Sequence, residues 1–317
     1  MQKRPAYPVK ILLLGGIILD RYFEVERYPQ AGGDTLIQNS FDKVGGCSLN
    51  VAITLKNLGM NPCIVTKLGD DESGRKIEHY VDSQGLSKTC MLKAPSRGTG
   101  YCLTILEKNG ERTFFTYKGC EGELSLDEFP PGTFEGFAFA YITGYYLANR
   151  QTAAAVIELS GKLRQAGCKV VFDPGALVTE MDPFHLRQLV QLSDWLVPNT
   201  HELALIQRSL GLSEEPSEWP FDQGVRALVV KKGSQGVVVY SPTSSFTINS
   251  LPIHSKDTTG AGDSFAGGLI YGLAQHYPLF DAVSLANACG AFISTIIGPH
   301  GEFSLQDILD LMASFKE

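Results

Sequence analysis

The 317-residue sequence has no apolar run near the roughly 20 residues that a membrane helix needs, and residues 1–10 do not resemble a signal peptide. Its 7 cysteines are odd in number and scattered, without a C-x-x-C pair, which argues against a disulfide framework and against a zinc site. The net charge of −7 argues against a nucleic-acid surface. We therefore expect a cytoplasmic protein with reduced thiols, whose partners include neither a membrane nor a nucleic acid.

Several familiar motifs are also missing. The sequence contains no G-x-x-x-x-G-K-[ST], which excludes a Walker-type phosphate loop, and its nearest match to G-x-G-x-x-G has Phe265 in place of the third glycine. Neither H-E-x-x-H nor the nucleophile elbow G-x-S-x-G occurs. Zinc proteases, α/β-hydrolases and enzymes with a Rossmann dinucleotide fingerprint are therefore poor candidates.

What the sequence does have is a steady alternation of short apolar strands with longer helices. Hydrophobic residues make up 44% and charged residues 19%, a mixture that can bury a sizeable core. Because this alternation is typical of βαβ units, we predict an α/β fold with a doubly wound, mostly parallel sheet flanked by helices, and we assign residues 1–317 to a single domain. The predicted strands are 9–14, 63–67, 137–143, 169–172, 195–197 and 227–231, with an antiparallel pair at 237–240 and 245–251. The predicted helices are 48–58, 73–84, 151–166, 200–210, 264–275, 279–296 and 304–315.

A second, smaller sheet is predicted from segments that interrupt this alternation. Residues 101–106 and 112–117 alternate in polarity on either side of Asn109-Gly110, which is the strongest short signal for a hairpin. Residues 35–42 also alternate. A hairpin alone is only marginally stable, so we expect these strands to share one sheet or to pair with a partner subunit. We predict a β-sheet lid, formed by about 22–44 and 97–120 and shared across a homodimer.

Near the C-terminal end, Gly260-Ala261-Gly262-Asp263 leads into a predicted helix. Glycines let backbone N–H groups converge, and the start of a helix adds unpaired N–H groups and a positive dipole end, so we expect an anion here. Asp263 beside a bound phosphoryl group is suited to take the proton from an attacking hydroxyl. Taken alone, however, most such tetrapeptides are simply a glycine turn with an aspartate helix cap.

Further polar side chains stand where predicted strands end. The carboxyl ends of parallel strands meet at one edge of a doubly wound sheet, where such folds bind ligands. An aspartate in such a loop is nevertheless more often a turn former or a helix cap. Asn50, in the first turn of the helix 48–58, could bind a polyol or simply cap that helix. The residues expected at this edge are Asp20, Asn199, Glu202, Lys231 and Asp257.

These stretches resemble the signatures of the ribokinase-like (PfkB) family of carbohydrate kinases. Residues 257–268, D-T-T-G-A-G-D-S-F-A-G-G, are similar to its C-terminal signature, and 32–59, from G-G-D through V-G-G-C-S-L-N-V-A to L-G, to its N-terminal signature. P-N-T-H-E at 198–202 resembles the N-x-x-E motif, and V-V-K-K-G-S-Q-G at 229–236 resembles the strand–T-x-G-x-x-G segment. The likeness runs from about residue 9 to residue 304, and it is greatest to an uncharacterised bacterial sugar-kinase branch.

The resemblance implies an ATP-dependent sugar kinase and gives each matching position a role. Asp263 would be the general base, and the anion hole would consist of the amides of Gly260, Ala261 and Gly262. Sugar hydroxyls would be held by Asp20, Gly45, Gly46 and Asn50, and the nucleotide by Asn199, Lys231, Gly233 and Asn287. Glu202 would orient the water shell of Mg²⁺. A monovalent cation, K⁺ in the family, would be bound by Asp257, the carbonyl of Thr259 and carbonyls near Ile293, Ile296 and Gly298.

Four features depart from the family pattern, one of which is that Asp173-Pro174-Gly175 lacks the arginine often found a few residues later. Lys231 stands where many relatives have threonine, and its basic side chain could reach a phosphate. Cys47 stands where ribokinases and phosphosugar kinases usually have lysine, which argues against a phosphorylated sugar as substrate. Glu302 replaces a small polar residue at the implied cation site, so a requirement for K⁺ stays open.

Three functions remain after this comparison. The first is phosphorylation of a primary hydroxyl of a free monosaccharide or a close relative. The second is a nucleoside kinase, in which Tyr145, Phe114 or Tyr117 could stack on the base, although packing in the core or in a strand is the more common role of such residues. The third is a catalytically silent sugar-binding protein, which the intact Gly-Ala-Gly-Asp argues against.

Overall fold

The computed structural model describes residues 9–212 and 218–315, so most of the segment 1–10, for which we expect no signal peptide, lies outside it. The strands, in chain order, are β1 (Ile11–Leu14), β2 (Ile18–Val25), β3 (Ile37–Gly45), β4 (Cys63–Gly69), β5 (Met91–Ala94), β6 (Tyr101–Glu107), β7 (Arg112–Tyr117), β8 (Phe139–Thr143), β9 (Lys169–Asp173), β10 (Trp195–Leu196), β11 (Ala227–Lys231), β12 (Val237–Tyr240) and β13 (Ser245–Ile248). The α-helices are α1 (Cys47–Asn57), α2 (Glu72–Ser83), α3 (Arg150–Gln165), α4 (Pro183–Leu192), α5 (Thr200–Leu210), α6 (Trp219–Asp222), α7 (Ala261–Ala274), α8 (Leu279–Ser294) and α9 (Leu305–Ala313).

The larger sheet has the strand order β13-β12-β11-β10-β9-β8-β1-β4-β5. Neighbouring strands are parallel except at β12, which runs antiparallel to both β11 and β13. From β1 the chain extends the sheet through β4 and β5 on one side, and afterwards from β8 to β13 on the other. Such a reversal is the switch point at which doubly wound sheets bind ligands. The predicted doubly wound, mostly parallel α/β fold is confirmed.

Helices cover both faces of this sheet because its strands alternate between two cores. In β1, Ile11 and Leu13 pack into a core with α1, α2, α7, α8 and α9, whereas Leu12 and Leu14 pack into a core with α3, α4 and α5. All four side chains are at most 1% exposed, and burying a side chain of this size contributes roughly 1.5–3 kcal/mol. The carboxyl end of β1 is thereby held between two well-packed layers.

The smaller sheet, the lid, has the order β3-β2-β6-β7. β6 and β7 form the predicted hairpin, and β3 contains most of the predicted strand 35–42, so the expectation that these segments share one sheet is confirmed. The sequence did not indicate β2, which pairs with β3 and β6, because I-L-D-R-Y-F-E-V does not alternate cleanly. Asp20 was expected in the loop after β1. It lies instead within β2, opposite Lys43 and Cys102.

Helix α7 carries Asp263 and is buried between α1 and α8. Three glycines permit this close packing, since a Cβ at Gly267 would come within 2.7 Å of Thr54, and one at Gly272 within 2.7 Å of Ala282. A Cβ at Gly268 would approach the sulfur of Cys289 to 2.9 Å. α7 begins three residues earlier than the predicted 264, because Gly260 adopts the left-handed conformation at its N-cap.

Besides β2, three further described elements were missing from the sequence-based prediction: β5, α4 and α6. A signal for α4 was present, because Asp182 caps the helix and is followed by proline at the first helical position. All seven cysteines are free thiols, although the sulfurs of Cys63 and Cys90 lie 2.6 Å apart, a proximity that their spacing did not indicate. In the two described segments, no helix is both long enough and apolar enough to span a membrane.

Candidate active site

The site is built around the turn at which α7 begins. Gly260 has φ +74°, and a Cβ there would overlap the carbonyl oxygen of Pro299, so only glycine fits. The Ala261 N–H donates to the carbonyl of Thr258 at 3.2 Å, so this member of the predicted anion hole already has an acceptor. The N–H groups of Gly262 and Asp263 belong to the first helical turn, where no intrahelical acceptor is available. The anion hole expected at Gly260, Ala261 and Gly262 stays a prediction, and the Asp263 N–H lies in the same helical turn.

The carboxylate of Asp263 lies in this first turn and accepts a hydrogen bond of 2.7 Å from Asn50 Nδ2. Burial raises the pKa of Asp263 to about 6, and the charge of Asp173 acts in the same direction, against the hydrogen bond from Asn50 and the charge of Lys231. The group is thus largely ionised at neutral pH, yet basic enough to accept a proton.

Four residues expected to hold sugar hydroxyls lie close together where the lid meets α1: Asp20, Gly45, Gly46 and Asn50. Gly46, with φ +103°, is the N-cap of α1, and a Cβ at Gly45 would overlap the Asp20 carboxylate. Burial and the charge of Asp263 raise the pKa of Asp20 to about 7, although Lys43 opposes this shift.

Asn50 does not cap α1, as one interpretation of the sequence held, because the N-cap residue is Gly46 and no side chain caps the helix. Its Oδ1 is buried and has no hydrogen-bond partner among the described residues. A buried acceptor without a partner is costly, and a hydroxyl donor from a ligand would satisfy it.

A cavity of about 700 Å³ extends from Asp263 along the carboxyl ends of β8 to β11, a volume typical of small-molecule sites. Asn199 and Glu202 begin α5 and hold each other in a capping box, in which Asn199 Oδ1 accepts the Glu202 N–H at 2.8 Å. Asn287 lines the cavity from α8 and donates to the Asn249 carbonyl at 2.9 Å. Gly233 lines it beyond β11.

Lys231 forms an ion pair with Asp173, with Nζ 2.7 Å from Oδ2, so the Asp173 carboxylate partly neutralises its positive charge. Burial alone would lower the pKa of Lys231, but the charges of Asp173 and Glu202 raise it, so the ammonium persists at neutral pH. Its Nζ also lies 3.5 Å from the point that a Cβ on Gly262 would occupy. Lys231 therefore lies beside the turn at Gly260–Gly262 and is at the same time paired with Asp173.

The implied metal sites differ in how well the residues fit. Burial raises the pKa of Glu202, so a nearby cation would stabilise its ionised form. No cluster of three or more His, Cys, Asp or Glu residues that could hold a metal is found in 9–212 and 218–315. Mg²⁺ commonly keeps several waters and binds through one or two carboxylates and the substrate phosphates, so the single carboxylate of Glu202 is compatible with it.

The implied monovalent-cation site is occupied by protein donors. Asp257 Oδ1 accepts the Thr259 N–H and Arg112 Nη1, each at 2.9 Å, and Oδ2 accepts the Gly298 N–H at 3.0 Å. The carbonyl of Ile293 accepts the N–H of Ile296 at 3.1 Å. The residues assigned to potassium are therefore present, but a guanidinium already bonds to their carboxylate.

Sequence reasoning missed two charged residues of the site. Asp173 lies at the carboxyl end of β9 and lines the cavity, and this position in a parallel strand was the available signal. Arg112 gave no such signal, because it belongs to the lid hairpin and only the folded chain brings it to Asp257.

The profile of the "pfkB family carbohydrate kinase" matches residues 10–300. Relatives include the uncharacterised sugar kinase YegV of Escherichia coli K12, which is 27% identical over 89% of this chain and 88% of its own length. The aminoimidazole riboside kinase of Salmonella typhimurium is 28% identical over 87% of this chain and 90% of its own length.

Solved structures show the same fold. The ribokinase of Thermotoga maritima superposes with a TM-score of 0.83 at 21% identity, covering 97% of this chain and 100% of its own. A fructokinase double mutant from Vibrio cholerae, bound to fructose, ADP and potassium, gives 0.81 at 22% identity, covering 98% and 100%. Because the family profile spans most of the sequence, this chain belongs to the pfkB family of carbohydrate kinases.

Proposed function

We propose that this carbohydrate kinase transfers the γ-phosphoryl group of ATP to a primary hydroxyl of a free monosaccharide or a close derivative, with Asp263 as general base. The observation that carries the proposal is the position of Asp263, which is hydrogen-bonded to Asn50 on the acceptor side and lines the cavity on the donor side. We also propose that the chain acts as a single catalytic domain with the lid inserted into it.

In the proposed reaction, Asp263 takes the proton of the acceptor hydroxyl as the hydroxyl oxygen attacks the γ-phosphorus, and the bond to the bridging oxygen breaks to release ADP. The N–H groups at the start of α7 face the charge that develops on the phosphoryl oxygens, with the positive end of the helix dipole behind them. Mg²⁺ would neutralise phosphate charge, with Glu202 orienting its waters. Asn50 Oδ1 and Asp20 would position the acceptor hydroxyls.

A nucleoside acceptor is the second candidate, and the relation to an aminoimidazole riboside kinase supports it. Phe114 is 55% exposed, and its register places it on the lid face that carries Asp20. Tyr117 pairs with Tyr101 and faces the opposite side, so it is not available to stack on a bound base.

The partners and location are proposed on separate grounds. Ile37 and Phe115 are about half exposed on the outer face of the lid, which suits contact with a second copy of this chain. We therefore propose a homodimer formed through the lid. The free state of all seven cysteines supports a reducing cytoplasm.

The first test replaces the proposed base. A coupled ADP-release assay that screens sugars against nucleosides identifies the acceptor, and Asp263→Asn should then lower kcat by about 10²- to 10⁴-fold, the usual loss of a general base. Asp281→Asn is the matched control, because Asp281 is an exposed aspartate in the first turn of α8. Near wild-type turnover in Asp263→Asn would refute the assignment, and binding of a sugar without ADP release would favour a silent binding protein.

A further inference from the structure

Arg112 connects the lid to residues 257–259, which precede the turn at Gly260 where α7 begins. Its Nη1 lies 2.9 Å from Asp257 Oδ1 and donates to Thr259 Oγ1 at 3.0 Å. The Asp257 side chain is 7% exposed and that of Arg112 24%, so water screens this ion pair only weakly. One guanidinium nitrogen thus holds two residues that lie one and three positions before Gly260 in the chain.

The position of Arg112 depends on Asp257. Arg112 Nε is buried and has no hydrogen-bond partner among the described residues, so the lid supplies it with no compensating acceptor. Although burial acts to raise the pKa of Asp257, hydrogen bonds from Thr259 and Gly298 and the charge of Arg112 lower it. A fully ionised carboxylate therefore faces the guanidinium across the working pH range.

A potassium ion would compete with these contacts. It would have to bind a carboxylate whose two oxygens together accept three N–H donors, with a guanidinium at hydrogen-bond distance that would repel it. Glu302, at the position of the small polar residue in the family pattern, is exposed. The residues of this chain consequently do not fit a bound monovalent cation as long as Arg112 is in place.

We propose that the Arg112 guanidinium takes the place of the monovalent cation behind the catalytic turn. It fixes Asp257 and Thr259, and through them the backbone of the turn. Order at the turn therefore depends on the lid hairpin and not on potassium. Arg112 is a positioning residue, and its role in turnover rests on the proposed kinase function.

Replacement of Arg112 gives the test. Turnover is measured by ADP release with potassium chloride or with N-methylglucamine chloride at constant ionic strength. Wild type should be indifferent to the cation. Arg112→Gln should lose about 10²-fold in kcat without potassium, the order of loss for a misplaced catalytic geometry, and potassium should restore much of it. Arg112→Lys should remain indifferent to the cation, because it keeps a positive charge near Asp257.

The matched control is Lys108→Gln, which removes an exposed lysine of the same hairpin that pairs with Glu26, and it should behave as wild type. Melting temperature gives a readout independent of turnover. Potassium should raise the melting temperature of Arg112→Gln and not that of wild type, because a ligand that binds only the folded state stabilises it. The proposal would be overturned if potassium stimulated the wild-type enzyme. It would also be overturned if potassium neither activated nor stabilised Arg112→Gln. Absence of ADP release from wild type with every acceptor would contradict only the proposed function, and the melting curves would still decide the role of Arg112.

Discussion

The hydrogen bond from Asn50 to Asp263 influences the pH at which the proposed base is ionised. Burial raises the pKa of Asp263 to about 6, while Asn50 works against this by stabilising the charged form. Catalysis requires the ionised carboxylate, so kcat/KM should fall as the pH drops below about 6. Activity is therefore lost on the acid side and is retained as the pH rises past neutrality.

Asn50→Leu should move this acid limb upward by about one to two pH units, because a hydrogen bond to a charged group contributes about 1.5–3 kcal/mol and 1.36 kcal/mol corresponds to one pKa unit. The measurement is the pH profile of kcat/KM. Asn57→Leu is the control, since Asn57 lies on the same helix but donates to the carbonyl of Gly301. An acid limb that does not move in Asn50→Leu would contradict this account of the Asp263 pKa.

At the scale of single elements, the turn before α7 should not tolerate a side chain at its N-cap. Gly260→Ala should lower kcat by about 10²-fold, because the methyl group would displace the backbone that orients Asp263. Gly59→Ala is a matched control, since Gly59 also has positive φ, +87°, but its Cβ would meet nothing within 4 Å. That variant should lose only about 1–2 kcal/mol of unfolding free energy. Denaturant unfolding and steady-state kinetics measure both effects, and an equally active Gly260→Ala would contradict the argument.

Elements with a clear period were predictable from the sequence. The bounds of α5, β11 and β12 agree with the predictions, and the predicted helix at 304 begins with a capping box of Ser304 and Asp307. The strand β2 could not be found in this way, because its buried residues, Leu19, Tyr22 and Val25, are spaced three apart. Its pattern therefore lacks the period of two that indicates a strand.

The candidate site was predictable only where local sequence determines local geometry. The turn at Gly260 and the helix start at Asn199 are of this kind, and the structure places both at one cavity. Two ion pairs of the site join residues that are distant in the sequence. Lys231 and Asp173 are 58 positions apart, and Arg112 and Asp257 are 145 positions apart. No periodicity or motif encodes such distant contacts, so the ion pairs of Lys231 and Asp257 could not be predicted, and the roles expected for these two residues stay predictions.

For the whole molecule, the outer face of the lid predicts a dimer. Phe115 stacks on Tyr28 at a centroid distance of 6.4 Å, while 49% of its side chain remains exposed. Phe115→Asp should raise the dissociation constant of the dimer at least about 10- to 100-fold, because it removes roughly 1.5–3 kcal/mol of apolar burial and adds a charge. Analytical ultracentrifugation measures this change. Phe184→Asp, at an exposed phenylalanine of α4, should leave the dimer intact, and a monomeric wild type would remove the proposal.

The glycines of α7 also bear on how such a chain can diverge. Gly267, Gly268 and Gly272 leave no room for an added methyl group, so drift at these positions would displace Asp263. Strands β3 and β7 carry many exposed side chains and can accept replacements without disturbing a core. Descendants of one ancestral gene could therefore acquire new acceptors through the lid while inheriting phosphoryl transfer unchanged.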